Sequence, residues 1–288
     1  MGRLPSWFRR QIPVGSFHQT SDVINQYRLN TVCESALCPN RSGCWSEKTA
    51  TFMILGNRCT RRCGFCAIET GLPDAVENDE PQRVAKAAQE LGLEYVVLTS
   101  VARDDLKDEG AGHFYRCVQA LKEKIEDVSV EVLVPDFHAR TELITQICDA
   151  GPAVYNHNLE TVERLQPFVR PQAKYERSLK VMSEVKRMAP EIRTKSGMML
   201  GLGETEEEVL QAARDLREAG CEILTLGQYL SPGAQHLPVL EYIPVEVFKR
   251  LADIIRQMGF REVYAGPYVR SSYHARETFQ AALAERNF

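Results

Sequence analysis

The chain reads as an α/β protein built on a parallel sheet, doubly wound or barrel-like. Two observations predict this. Six short apolar runs recur along the chain, and each is followed by an amphipathic helical stripe. No glycine-rich dinucleotide fingerprint follows the first run: after Leu55 comes Gly56-Asn57-Arg58-Cys59. Cysteines therefore stand at the carboxyl end of the first strand, where α/β active sites lie.

The elements follow in order. The first 30 residues read as an irregular arm. Arg3, Arg9 and Arg10 precede its first acidic residue, Asp22, a pattern shared with organellar transit peptides. A basic arm anchored on the domain by Trp7 and Phe8 is the preferred reading. The strand-like runs are Phe52–Leu55, Tyr95–Leu98, Val128–Val134, Ala153–Tyr155, Gly197–Leu202 and Ile223–Leu230. Val84, Ala87, Ala88 and Leu91 share the first helical face, with Pro81 near its start. Phe114, Cys117, Val118, Leu121 and Ile125 make the second, and Leu143, Ile147 and Cys148 the third, closed by Gly151. Leu179 and Met182 mark the fourth. Val209, Ala212, Ala213 and Leu216 form the fifth, ended by Gly220, and Val247, Leu251, Ile254 and Ile255 the sixth.

Composition bounds the function. The 288 residues are 44% hydrophobic and 26% charged, with a net charge of −4. That balance excludes disorder as the main state and argues against a nucleic-acid or membrane-surface protein. No apolar run approaches the roughly 18 residues that span a bilayer, and the apolar core of a secretory signal is missing. A soluble, cytoplasmic protein is expected.

The nine cysteines are the informative feature, six of them within residues 33–66. An odd count without signs of export disfavours a disulfide framework. Cys59, Cys63 and Cys66 form a C-x3-C-x2-C loop, three thiols that can hold three irons of a four-iron cluster and leave one iron open. Cys33, Cys38 and Cys44 form a second open set. Zinc completed by a distant histidine is the bland alternative, but Cys63 and Cys66 have no second C-x2-C or H-x3-H partner. Cys117, Cys148 and Cys221 read as core. Arg58, Arg61 and Arg62 flank the loop, where they would balance the charge of an anionic cluster, lie on a solvated face, or form a docking patch for an acidic partner.

With these residues in view, the sequence resembles the lipoyl synthase family of radical S-adenosylmethionine enzymes. The resemblance rests on the cysteine loop together with Thr31-Val32-Cys33-Glu34, Cys38-Pro39-Asn40 and Cys44-Trp45. It continues through Thr99-Ser100-Val101, Arg103-Asp104-Asp105-Leu106, Gly110-Ala111-Gly112-His113-Phe114 and Asn156-His157-Asn158-Leu159-Glu160-Thr161. Lys195-Ser196-Gly197, Gly201-Leu202-Gly203-Glu204-Thr205, Gly227-Gln228-Tyr229-Leu230, His236-Leu237-Pro238 and Arg270-Ser271-Ser272-Tyr273-His274 complete it. Where the family usually carries an acidic residue, this chain has Ala102.

The resemblance implies a partial (β/α)6 TIM-like barrel at 49–258. The arm and auxiliary-cluster segment would occupy 1–48, and a C-terminal segment with the Arg-Ser-Ser-Tyr motif 259–288. It implies two 4Fe-4S clusters and S-adenosylmethionine as cofactors. The cluster on Cys59, Cys63 and Cys66 would bind S-adenosylmethionine, whose reductive cleavage gives the radical that abstracts hydrogen from carbons 6 and 8 of an octanoyl chain. The second cluster, on Cys33, Cys38, Cys44 and Ser272 (Ser271 as fallback), would be the sacrificed sulfur source. The octanoyl chain would sit on a lysine of a lipoyl carrier protein or lipoyl domain, with ferredoxin or flavodoxin as electron donor.

Thr99, Ser100, Asn156, Asn158 and Glu160 are the candidate cofactor contacts. Each equally fits a cap or turn. His157 reads as a structural histidine, and Glu204 and Thr205 as a helix start. The competing readings are a radical sulfur inserter acting on a small molecule such as dethiobiotin, and a non-catalytic iron–sulfur protein.

Overall fold

The computed structural model describes Pro5, Phe8 and residues 17–46 and 50–284. Trp7, Arg3, Arg9 and Arg10 lie outside the described residues.

A helix, α1 (Phe17–Gln26), precedes a short strand β1 (Asn30–Thr31) and two helical turns, α2 (Val32–Ser35) and α3 (Arg41–Ser46). The expectation of an irregular arm is corrected here. Val23 and Ile24, adjacent on α1, are buried in the main core, and Thr20 Oγ1 donates to Trp45 O at 2.8 Å. Phe8 is buried against the rings of Tyr242 and Tyr268, at 5.8 and 5.2 Å.

The barrel follows. β2 (Thr51–Ile54) leads into β3 (Arg58–Cys59) and β4 (Glu69–Thr70), a small parallel pair. Then come α4 (Glu80–Leu91), β5 (Tyr95–Ser100), α5 (Ala111–Lys124), β6 (Ser129–Leu133), α6 (Thr141–Asp149) and β7 (Val154–Asn156). The short α7 (Gln166–Val169) and long α8 (Tyr175–Met188) lead to β8 (Arg193–Leu200), α9 (Glu206–Glu218), β9 (Ile223–Gln228) and α10 (Val245–Arg256). β10 (Glu262–Gly266) and α11 (Ala275–Leu283) end the described chain.

The sheet order is β1-β2-β5-β6-β7-β8-β9-β10, parallel throughout except for antiparallel β1. All six strand–helix units read from the sequence form. Among the described residues the two ends of the sheet do not pair, so the barrel is open. The helices pack outside, burying the stripes read from sequence, such as Val84, Ala87, Ala88 and Leu91 on α4. Thr205 caps α9, bonding Glu208 N while the Glu208 carboxylate returns to Thr205 N.

Two strands depart from expectation. β8 begins at Arg193 rather than Gly197, because Thr194 and Lys195 are buried polar residues with internal partners. Thr194 Oγ1 donates to Gly220 O at 2.6 Å, and Lys195 Nζ lies 2.9 and 3.0 Å from the two Glu131 carboxylate oxygens. β10, read as part of the C-terminal segment, adds a seventh parallel strand beside β9.

Candidate active site

The first cysteine set is carried by a loop at the carboxyl edge of the sheet. After β2 the backbone turns sharply through Leu55 (φ 68°) and Gly56 (φ 90°). Leu55 can hold this conformation because both its backbone groups are tied. Its N–H donates to the Glu80 carboxylate at 2.9 Å, and its carbonyl accepts from Arg103 at 3.3 Å. Glu80 is itself 2.7 Å from His113 Nε2.

β3 and β4 then close the loop that holds Cys59, Cys63 and Cys66. Cys59 Sγ accepts backbone N–H groups from Arg61 and Ala102, at 3.4 and 3.3 Å. The Ala102 contact uses only the backbone, so the missing acidic side chain does not disturb it. Gly64 is laced to neighbouring segments, N–H to Val169 O and carbonyl from Leu237 N–H, both at 2.9 Å. A Cβ there would lie 3.0 Å from the Leu237 side chain and 3.2 Å from Phe168 O, so a larger residue would push the loop.

For Arg61 the solvated-face and docking-patch readings are corrected. Its guanidinium is buried, 2.7 Å from Asp104 and 2.8 Å from the fully buried Asp136, and it pins the loop to the ends of β5 and β6. Arg58 reaches Glu69 at 3.5 Å, and Arg62 is exposed.

Burial pushes the Cys63 thiol up to about 11 and Cys66 to about 12. Burial thus favours the neutral thiols, and a bound metal-bearing group would favour the thiolates. Among the described residues one trio of ligand atoms lies within 4.8 Å, that of Asp104, Glu109 and His138. Neither cysteine trio is that tight, whereas thiolates on a single tetrahedral zinc sit roughly 3.8 Å apart. The donor sets therefore suit multi-iron clusters better than zinc. In the Asp104 trio the carboxylates are already taken by Arg61, His138 and Arg140.

The second set sits on the segment that β1 attaches to the sheet edge. Thr31 caps α2, accepting from Glu34 N–H at 3.3 Å, and Cys33 lies inside that turn. Cys38 N–H returns to Cys33 O at 3.2 Å, and α3 carries Cys44 beside Trp45 and Ala50. Cys33, Cys38 and Cys44 line a small cavity of about 20 Å³ together with Asn40, Arg270, Ser272 and Tyr273. Ser272 faces this cavity. Ser271 instead sits 2.6 Å from Asn158 Nδ2, across the barrel mouth.

Both sets border one larger cavity of about 550 Å³, whose wall includes Cys33, Cys38, Cys66, Ser271 and Ser272. That volume falls in the roughly 300–1,000 Å³ range of small-molecule sites. Its apolar wall includes Leu37, Met53, Ile68, Leu133, Met198 and Leu230. Thr99 lines it but spends its hydroxyl on Leu133 O at 2.8 Å. Ser100 also lines it, and its buried Oγ makes no hydrogen bond among the described residues. Asn158 and Glu160 line it, 2.9 Å apart, and burial raises the Glu160 carboxyl. Asn156 is off the wall, donating to Glu131 at 2.8 Å.

His157 is buried with both ring nitrogens bonded, to Val134 O at 2.8 Å and Ser178 Oγ at 2.9 Å, the structural role expected of it. Cys117, Cys148 and Cys221 are buried away from both sets. Two arginines on the wall, Arg170 and Arg270, were not singled out by sequence reasoning. Arg170 donates to the carbonyls of Asn158 and Leu159 at 2.8 and 3.2 Å and favours the Cys63 thiolate. Nothing in its surroundings in sequence marks it as buried. Arg270 opens the Arg-Ser-Ser-Tyr motif.

An open parallel barrel with a three-cysteine loop after its first strand defines an enzyme of the radical SAM superfamily, whose family model matches residues 53–216. Solved structures agree at the level of fold. The FeFe-hydrogenase maturase HydG from Carboxydothermus hydrogenoformans aligns with TM-score 0.59 at 16% identity, over 80% of this chain and 56% of that one. Methylornithine synthase aligns with TM-score 0.55 at 15%, over 74% and 69%. Within that superfamily the chain belongs to the lipoyl synthase family. It is 54% identical to lipoyl synthase of Rhodopirellula baltica over 96% of this chain and 88% of that protein. It is 52% identical to that of Thermus thermophilus over 96% and 87%. Enzymes of this family use S-adenosylmethionine and two 4Fe-4S clusters.

Proposed function

We propose that the protein inserts two sulfur atoms, at carbons 6 and 8, into an octanoyl chain attached to a lysine of a lipoyl carrier protein or lipoyl domain. The observation that carries this reading is one cavity walled by thiols of both cysteine sets, with Ser272 beside the second. When bound, the two clusters and S-adenosylmethionine supply a hydrogen-abstracting radical and the sulfur.

The chain's own residues do the rest. Cys59, Cys63 and Cys66 hold the first cluster, on a loop fixed by Arg61 and by the Leu55 turn. Cys33, Cys38, Cys44 and Ser272 hold the second. A hydroxyl retains iron less firmly than a thiolate, which suits a cluster that comes apart in use. Ser100, Asn158 and Glu160 offer polar contacts to the cofactor, with Arg170 behind Asn158. Met53, Ile68 and Leu133 give an unbranched acyl chain an apolar lane and keep water from the reacting carbons. The open side of the barrel admits a substrate tethered to a protein domain. A small one-electron carrier such as ferredoxin or flavodoxin would deliver the reducing equivalents.

Two readings compete: insertion into a protein-bound chain and insertion into a free small molecule. Anaerobically reconstituted protein is incubated with S-adenosylmethionine, a strong reductant and an octanoyl-lysine peptide, and the peptide is weighed by mass spectrometry. A product carrying two added sulfurs is expected. Cleavage of S-adenosylmethionine with an unchanged peptide would overturn the substrate assignment and favour the small-molecule reading.

A further inference from the structure

The turn that follows β10 carries two consecutive serines with different surroundings. Ser272 faces the cavity of Cys33, Cys38 and Cys44, whereas Ser271 is absent from that wall. Ser271 Oγ lies 2.6 Å from Asn158 Nδ2 and 2.9 Å from its Oδ1. Asn158 is in turn bonded on other sides. Its amide also donates to Glu160 at 2.9 Å, and its carbonyl accepts from Arg170 at 2.8 Å.

The floor beneath this pair is built for close approach. A Cβ at Gly197 would lie 2.7 Å from Thr225 Oγ1, 2.9 Å from Asn158 Oδ1 and 3.0 Å from Ser271 Oγ. A Cβ at Gly227 would come within 2.1 Å of Val269 O, so the turn backbone rests directly on β9. On its far side Asn40 Nδ2 donates to Tyr268 O at 2.7 Å, joining the turn to the segment between Cys38 and Cys44. The turn is thus braced from the barrel at Ser271 and from the second cysteine set at Tyr268. Ser272 stands next to the first brace.

We propose that Asn158, through its hydrogen bonds to Ser271, is a positioning residue that holds the Ser272 hydroxyl against Cys33, Cys38 and Cys44. The inference rests on the reading of Ser272 as the fourth ligand of the second cluster. It gives the two serines separate tasks, one to bind iron and one to brace. A hydroxyl is a weak ligand, so its contribution depends on being held in place rather than on intrinsic affinity. The same amide bonds Glu160, which ties the placement of the sulfur source to the cofactor side of the cavity.

The test follows iron rather than activity. Full-length protein with Cys59, Cys63 and Cys66 replaced by alanine is reconstituted anaerobically, so that only the second set carries a cluster. Iron release to a chelator is then timed without S-adenosylmethionine, and the oxidised samples are examined by electron paramagnetic resonance. Asn158→Ala and Ser271→Ala are each expected to speed release about tenfold, the effect of losing one or two modest hydrogen bonds. They are also expected to raise a three-iron signal, the same outcome expected of Ser272→Ala. Ser271→Thr, which keeps a hydroxyl, restores the slow rate.

In the reciprocal background, with Cys33, Cys38 and Cys44 replaced by alanine, Asn158→Ala and Ser271→Ala leave release from the first set unchanged. Equal acceleration in both backgrounds would reduce Asn158 to a general structural residue and overturn the proposal. Acceleration by Ser272→Ala alone would overturn it while sparing the ligand assignment. No effect of Ser272→Ala would overturn the ligand reading itself.

Discussion

Arg61 lies between the first two cysteines of the loop, yet its charge points into the protein. It is buried between Asp104 and Asp136, and the Asp136 carboxyl is held at about 2 against the cost of its own burial, chiefly by that guanidinium. Removing one partner of a buried pair leaves the other charge uncompensated, which costs about 3 kcal/mol. Arg61→Ala is therefore expected to lower the unfolding free energy by that amount, read as a lower urea midpoint, and to loosen iron bound at Cys59, Cys63 and Cys66. Arg61→Lys recovers only part of it, because an ammonium cannot reproduce the fork that bonds Asp104 through two nitrogens while reaching Asp136. Denaturant titration and iron counts check both; a loss below about 1 kcal/mol for the alanine variant would mean that Arg177, 3.1 Å from Asp136, suffices alone. At this scale the sequence told much about the thiols, whose spacing is their chemistry, and little about the arginines. Burial of Arg61 depends on partners far along the chain, Asp104 and Asp136, and that of Arg170 on how the segment after β7 folds back on itself. Similarly, nothing in the dipeptide Ser271-Ser272 says that Ser271 bonds Asn158 while Ser272 lines the cavity of the second cysteine set.

The six strand–helix units were legible because apolar runs and helical stripes are local. Where a strand's inward residues are polar, the signal fades. β8 hides its first four residues because Lys195 points into the barrel at Glu131, with Asn156 and Tyr95 completing the network at 2.8 and 2.7 Å. β10 is short and half-polar, and it belongs to the sheet only because β9 offers an edge. The Lys195–Glu131 pair is fully enclosed, so its worth lies in mutual compensation rather than net attraction. Lys195→Met is expected to destabilise by roughly 3–5 kcal/mol, since it strands a buried carboxylate. Glu131→Leu strands the ammonium and costs a similar amount. The double variant should be less damaged than either single one, and a double-mutant cycle by urea unfolding measures the coupling. Strictly additive losses would show that the two residues act independently of each other.

Across the whole molecule, acid tests how the barrel and its segments hold together. His157 joins three elements: its ring bonds Val134 O after β6 and Ser178 on α8, while its backbone N–H follows β8 at Lys195 O. Burial, reinforced by the nearby Arg170, brings its pKa down to about 4. Below the ordinary histidine range, near 6.5, the unfolded chain takes up a proton there while the folded chain does not. Stability from this site is therefore complete above about 6.5 and declines as pH falls toward about 4, by up to about 3 kcal/mol. Asp136 has the opposite charge and a lower window. Its contribution is intact above the ordinary aspartate range, near 3.8, and is lost as pH drops toward about 2. The protein should accordingly weaken in two stages, the first set by His157. Urea midpoints measured above, within and below the histidine window are expected to fall progressively in the native protein. In His157→Gln, which keeps a donor and an acceptor but cannot be charged, the first stage should flatten while the second persists. A first stage of equal slope in that variant would assign the acid loss to other groups. If it flattens as expected, the protonation of one imidazole between β6, α8 and β8 limits the pH at which the open barrel can hold both cysteine sets around one cavity.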